Sequence, residues 1–163
     1  MRALLLLLAL LTACSAATTE SDEPDPTETP SPWPEEYEEW VCAANQELRL
    51  NTVPALEDLI DAAELLDEDE AIDAADRLGE SAAQVLDFLD LAPRWQPGDA
   101  VKHRFARWMR LLARGSNQIA SGVSRDSAPL VRDGLRDIER ANRAGGQATD
   151  AIQKLRSRTG FSC

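Results

Sequence analysis

The sequence contains a single histidine, three cysteines and one tyrosine, and its 17 Lys+Arg are outnumbered by 29 Asp+Glu. One His with three Cys excludes the multi-His zinc and di-iron centres that helical proteins often carry. The shortage of cations gives a formal charge of -12. That argues against a nucleic-acid binder, which needs a basic footprint to displace counterions. No apolar run approaches the roughly 20 residues of a membrane-spanning helix, and the run Ala3 to Leu11 has nine. A nucleophilic serine elbow, a phosphate-cradling glycine loop and a Cys-X-X-Cys pair are all missing. His103 sits among arginines, and no carboxylate pair is singled out for glycosidic chemistry. The reading is therefore non-catalytic, with no metal and no cofactor.

What is present at the amino end is an address. Met1 and Arg2 give a minimal positive start, the nine apolar residues follow, and Leu11-Thr12-Ala13-Cys14 comes next. A short apolar core closed by small residues is the pattern of an export signal. Over residues 1–14 the sequence resembles the bacterial lipoprotein signal, whose lipobox is an aliphatic residue, two small residues and a cysteine. The resemblance implies removal of residues 1–13, a diacylglyceryl thioether on Cys14 and an extracytoplasmic protein held on the membrane by its lipid. Ser15 is not the Asp that, by the Gram-negative family rule, retains lipoproteins at the inner membrane, so an outer-membrane location is open if the host has one.

Residues 14–34 follow as a tether. From Ser15 to Pro34, 17 of 20 positions are Pro, Ser, Thr, Asp or Glu, a composition that cannot build a core and is expected to be disordered. At ~3.1 Å per residue in polyproline-like geometry, it can hold a domain up to ~60 Å from its anchor.

From residue 35 to 163 the composition turns to Ala and Leu without strand-like alternation. Ile72, Ala75, Gly79, Ala82, Leu86 and Leu89 step by three and four, as do Val101, Phe105, Trp108, Leu112, Gly115 and Ile119. Val131, Leu135, Ile138, Ala141, Gly145, Ala148, Ile152 and Leu155 repeat the pattern. An earlier segment carries Tyr37, Val41, Ala44 and Leu48, then Val53, Leu56, Leu59, Ala63 and Leu66, with Pro54 between the two sets. The expectation is an all-α, up-and-down antiparallel four-helix bundle whose first helix is kinked near Pro54. Asp99 and Ser127 are candidate helix caps, and the small seam residues suggest close helix approach rather than a cavity. Trp108 reads as core and Trp33 and Trp95 as plugs at a bundle end, while Trp40 is ambiguous.

Charge is segregated along this domain. Residues 35–92 hold 18 Asp/Glu against 2 Arg, a net of -16, whereas residues 93–163 hold 14 Lys/Arg against 6 Asp/Glu, a net of +8. His103, Arg107, Arg110 and Arg114 fall on one face of the third helix, and Arg132, Arg136, Arg140, Arg143 and Lys154 on one face of the fourth. The partner-binding candidates are Arg132, Arg136, Arg140 and Arg143, toward an acidic partner of the envelope. The competing reading is a solvated face laced with pairs such as Asp133 with Arg136 and Asp137 with Arg140. The acidic flanks, Glu57, Asp61 and Glu64 and then Asp69, Asp73, Asp76, Glu80 and Asp87, lack calcium-loop spacing.

Lipidation of Cys14 leaves Cys42 and Cys163 as two thiols in an exported domain, where bridging is chemically permitted. An even number of antiparallel helices brings the carboxyl end back to the pole of Cys42, so a structural disulfide is expected; free thiols or an intermolecular bridge are the alternatives. The functional expectation is an interaction or structural module of the cell envelope. A solute- or divalent-cation-binding lipoprotein is the second reading and an envelope enzyme the third.

Overall fold

The computed structural model describes residues 34–65 and 67–159. The expected signal segment, most of the tether, Trp33, Leu66 and Cys163 lie outside them. Helix α1 spans Glu35–Glu47, a π-helical turn follows at Leu48–Thr52, and α2 spans Val53–Leu65. Then come α3 (Glu68–Asp90), α4 (Gln96–Ser124) and α5 (Ala128–Thr159). No strand occurs among the described residues. The backbone stays right-handed helical through both junctions of the π turn, at Leu48 (φ -56, ψ -46) and Val53 (φ -67, ψ -49). Thus α1, the π turn and α2 are one continuous first helix, and the four helices form the expected all-α bundle.

The π turn sits where Pro54 demands it. A proline inside a helix offers no N–H to the carbonyl four residues back, here that of Leu50, and its ring presses on that oxygen. One wider turn relieves the clash at the cost of a local change in winding.

Connections are short and locally encoded. Asp67 caps α3 by accepting a 3.1 Å hydrogen bond from the Glu70 amide. Ala92 and Pro93 end the path out of α3, and α4 starts with Trp95 in the capping position and Pro97 in its first turn. Asp99 lies inside that first turn and is not the cap, because the helix begins three residues earlier than its polar side chain suggests. At the far end Ser127 donates its amide to Gly122 (2.7 Å) and Asp126 donates to Val123 (3.0 Å). With Asp126 at φ 50, this is a Schellman stop in which aspartate takes the left-handed position usually given to glycine. Ser127 then precedes α5, its carbonyl accepting from the Val131 amide at 3.2 Å.

Neighbours in sequence are antiparallel neighbours in space. Trp40 donates from Nε1 to the Phe88 carbonyl (2.9 Å), and Thr52 shares a 2.7 Å hydrogen bond with Ser81, so the first helix runs against α3. A Cβ at Gly79 would meet Ser116 Oγ at 3.0 Å, which sets α3 against α4. A Cβ at Gly134 would stand 2.7 Å from the Gly115 carbonyl, and one at Gly145 would stand 2.9 Å from Trp108, so α4 and α5 meet backbone to backbone. The small residues therefore mark tight helix approach.

The seams differ in detail from the apolar spacing. In α3 the buried positions are Ala71, Ala74, Ala75, Leu78, Gly79, Ser81, Ala82, Val85 and Leu89, while Ile72 and Leu86 are half-buried. Helix α3 lies between the first helix and α4, so it buries two faces and one stripe underestimates it. In the second half of the first helix the buried set is Thr52, Ala55, Leu59, Ile60 and Ala62, and Val53 is 40% exposed. Thr52 and Ser81 are polar and so escape an apolar count, yet each satisfies the other's hydroxyl inside the core.

The pole where the chain enters the bundle is closed by aromatic side chains. Tyr37 donates its hydroxyl to the Gly98 carbonyl (2.9 Å) and packs against Trp40 and Trp95 at centroid distances of 5.1 and 4.9 Å. Burial, with Asp99 adding to it, pushes the Tyr37 phenol far above its usual range. Trp40 is 7% and Trp95 9% exposed, so both belong to the core. Trp108 is half-buried, lying across Gly145 and beside Phe105.

Candidate functional site: the basic side of the bundle

The polar faces of α4 and α5 carry the basic charge. Arg132, Arg136, Arg140 and Arg143 are all exposed along α5. Arg136 donates to Asp133 at 3.0 Å and Arg140 to Asp137 at 3.0 Å, the two intrahelical pairs legible in the sequence. Arg132 and Arg143 form no ion pair with a described residue. Half of the expected binding stripe is thus engaged with its own helix and half is uncommitted.

Asp137 departs from expectation. Its side chain is only 7% exposed, and its chief partner is on the neighbouring helix: Arg114 donates from Nε to one carboxylate oxygen and from Nη2 to the other at 3.0 Å. Arg114 foremost, joined by Arg140, holds the Asp137 carboxyl below the ordinary aspartate range despite the burial. A carboxylate read as part of a solvated face is a three-group bridge between α4 and α5.

The stripe His103, Arg107, Arg110 and Arg114 is divided by the packing. His103, Arg104 and Arg107 border a shallow hollow of about 400 Å³ beside Ala144 and Gln147, where Arg104 donates to the Gln147 carbonyl at 3.2 Å. Arg110 and Arg114 instead border a groove of about 530 Å³, with Leu86 of α3, Gln118 of α4, Arg125 just past the end of α4, and Leu130 of α5. No carboxylate lines this groove. The buried amide oxygen of Gln118 has no hydrogen-bond partner among the described residues. Apolar periodicity could not locate the groove. Its signal is the continuation of the stripe from Arg114 through Asn117 and Ser121 to Arg125, the same helical spacing carried by polar residues.

The acidic side offers less. Glu57, Asp61, Glu64, Asp69, Asp73, Asp76, Glu80 and Asp87 are all exposed. Arg77 bonds Glu70 within α3 (2.9 Å) and crosses to Asp58 on α2 (3.1 Å). Among the described residues no three His, Cys, Asp or Glu side chains are placed to hold a metal ion. His103 is exposed on the basic side. No described helix is long and apolar enough to cross a membrane. Cys14 and Cys163 lie outside the described residues. Cys42 is half-buried on α1, packed against the core. No family model, no curated protein and no solved structure matches this chain.

Proposed function

We propose that this chain is a lipid-anchored, extracytoplasmic lipoprotein whose helical domain is a non-catalytic module that engages an acidic partner at the cell envelope. The observation that carries the reading is the uncompensated basic side: Arg107, Arg110, Arg125, Arg132 and Arg143 are exposed without an ion pair among the described residues. Opposite potentials steer association and set specificity at such surfaces. Non-catalytic action fits the fate of the displaced protonation equilibria, since Tyr37 and Asp137 are each spent on bonds between elements of the fold. The lipid anchor rests on the lipobox at Leu11-Thr12-Ala13-Cys14.

For Cys42 the bridge proposed is to Cys163. Arg104 reaches Gln147 while Gly98 meets Tyr37, so the last turns of α5 run toward the pole where α1 begins. Closing so long a loop restricts the unfolded chain by ~4 to 5 kcal/mol in the entropy account.

Intact mass of protein matured in the envelope addresses both covalent proposals. Acyl mass is expected on the wild type and lost in Cys14→Ser. Alkylation is expected to mark Cys42 and Cys163 only after reduction; acyl mass retained in Cys14→Ser, or two thiols alkylated before reduction, would reject the respective proposal.

Partner engagement is tested by in-cell crosslinking. Arg132→Glu with Arg143→Glu is the informative pair, because neither arginine serves the fold as Arg140 does. Capture is expected to fall several-fold with helicity unchanged, and to fall for the wild type as salt rises, exposed charges being screened over ~8 Å at physiological ionic strength. Capture indifferent to both changes would return the stripe to a solvated face.

A further inference from the structure

The groove bordered by Arg110, Arg114 and Arg125 has a geometry that selects among acidic partners. At ~1.5 Å of rise per residue, Arg110 and Arg114 are ~6 Å apart along α4 and Arg125 lies ~16 Å beyond Arg114, so the cations stand at the two ends of a trough ~22 Å long. Between them α4 presents Asn117, Gln118 and Ser121, neutral groups that both donate and accept. Leu86 borders the trough from α3 and Leu130 from α5. Arg114 is already bonded to Asp137, whereas Arg110 and Arg125 have no ion pair among the described residues.

A single compact anion satisfies only one end of this trough. A linear polyanion of phosphates satisfies the cations but brings no donor for the Gln118 oxygen. An extended peptide brings both: carboxylates for the ends and, between them, backbone N–H and C=O groups spaced along ~3.3 Å per residue. With its amide swung outward from the buried, unpartnered position it holds in the free protein, Gln118 takes a peptide N–H on its oxygen and gives its own N–H to a peptide carbonyl. Amides facing a bound backbone fix an extended conformation, and side chains on alternate sides meet Leu86 and Leu130.

We propose that this groove is a docking site for an extended acidic segment of a protein partner, with carboxylates five to seven residues apart seated on Arg110 with Arg114 and on Arg125, and with the intervening backbone on Gln118. This deepens the acidic-partner reading by naming the partner's chemistry and a surface distinct from the α5 stripe. Arg132 and Arg143 do not line the groove, so failure of their capture test and failure of this site are separable.

The test is a titration of the full chain with three probes: an eight-residue peptide with two glutamates at each end and small apolar residues between, a peptide of the same composition with all four glutamates together, and tetraphosphate. The split-charge peptide is expected to bind at least ~10-fold tighter than either other probe. Arg110→Gln and Arg125→Gln are each expected to cost it several-fold to ~10-fold, one well-placed charged contact apiece. Gln118→Leu, which keeps the bulk and the net charge, is expected to weaken the split-charge peptide several-fold and leave tetraphosphate unmoved. Arg156→Gln, at an exposed position near the opposite end of α5 from Leu130, is expected to change none of these ratios. Equal binding of all three probes would reduce the groove to diffuse attraction and overturn the proposal, as would tighter binding of tetraphosphate or no binding at all.

Discussion

Gly134→Ala is expected to lower the stability of the helical domain by ~2–3 kcal/mol, a fall in melting temperature of about 10 °C, whereas Gly146→Ala is expected to raise it by up to ~1 kcal/mol. The two glycines share one helix and differ in what a methyl group would meet. At Gly134 the new Cβ would sit 2.7 Å from the Gly115 carbonyl oxygen and 3.0 Å from the Ile119 amide nitrogen, both main-chain atoms of the facing helix. Neither can rotate away, so α4 and α5 must separate along their contact. At Gly146 nothing lies within 4 Å. The substitution there only removes backbone freedom from the unfolded chain. Thermal unfolding of both variants decides the matter. Two shifts of the same sign would mean that the backbone contact between α4 and α5 is not what those glycines provide.

That contact also explains which parts of the fold were legible in the sequence. Gly115 and Gly145 stand at helical spacing in otherwise apolar seams, and glycine in the middle of a helix costs stability unless a neighbour comes close. Pro54 disclosed the irregularity of the first helix, because a missing N–H has no local remedy. Illegible were features that depend on what a helix touches. Thr52 and Ser81 pass for surface residues until they are found facing each other. Leu86 and Ile72 pass for seam residues until α3 is seen to be wedged between two neighbours.

The same division holds for the basic side. Charge segregation and the outward arginines of α5 follow from counting and helical period, and the structure leaves those arginines exposed. The groove beside Arg110 is assembled from three helices, so no single window of sequence contains it. Asp137 shows the limit most sharply. Its partner at i+3, Arg140, is visible along the chain, while its bidentate partner Arg114 is 23 residues away. Only the pairing of α4 with α5 turns a surface ion pair into a bridge.

Removing that bridge is expected to have a pH-dependent effect that no surface pair would give. Asp137→Asn keeps the size of the side chain but replaces an acceptor of three charge-assisted hydrogen bonds with an amide whose N–H groups confront guanidinium donors. With the carboxylate 7% exposed, the expected loss at neutral pH is ~1–3 kcal/mol. Asp133→Asn, which breaks the exposed pair with Arg136, is expected to change stability by less than ~0.5 kcal/mol. The sign with pH follows from the direction of the Asp137 shift. Its carboxyl is held below the ordinary value of 3.8 in the folded protein, so the unfolded chain takes up the proton first as acid is added. The stabilisation is therefore complete above that ordinary value and drains away as pH falls through the lower folded one. Urea unfolding of wild type and Asp137→Asn should show a wide gap at neutral pH that closes in strong acid, where the wild-type carboxyl is neutral as well. A gap of constant width would assign the loss to packing around the new amide, and no gap at any pH would mean that α4 and α5 are held by their glycine contact alone.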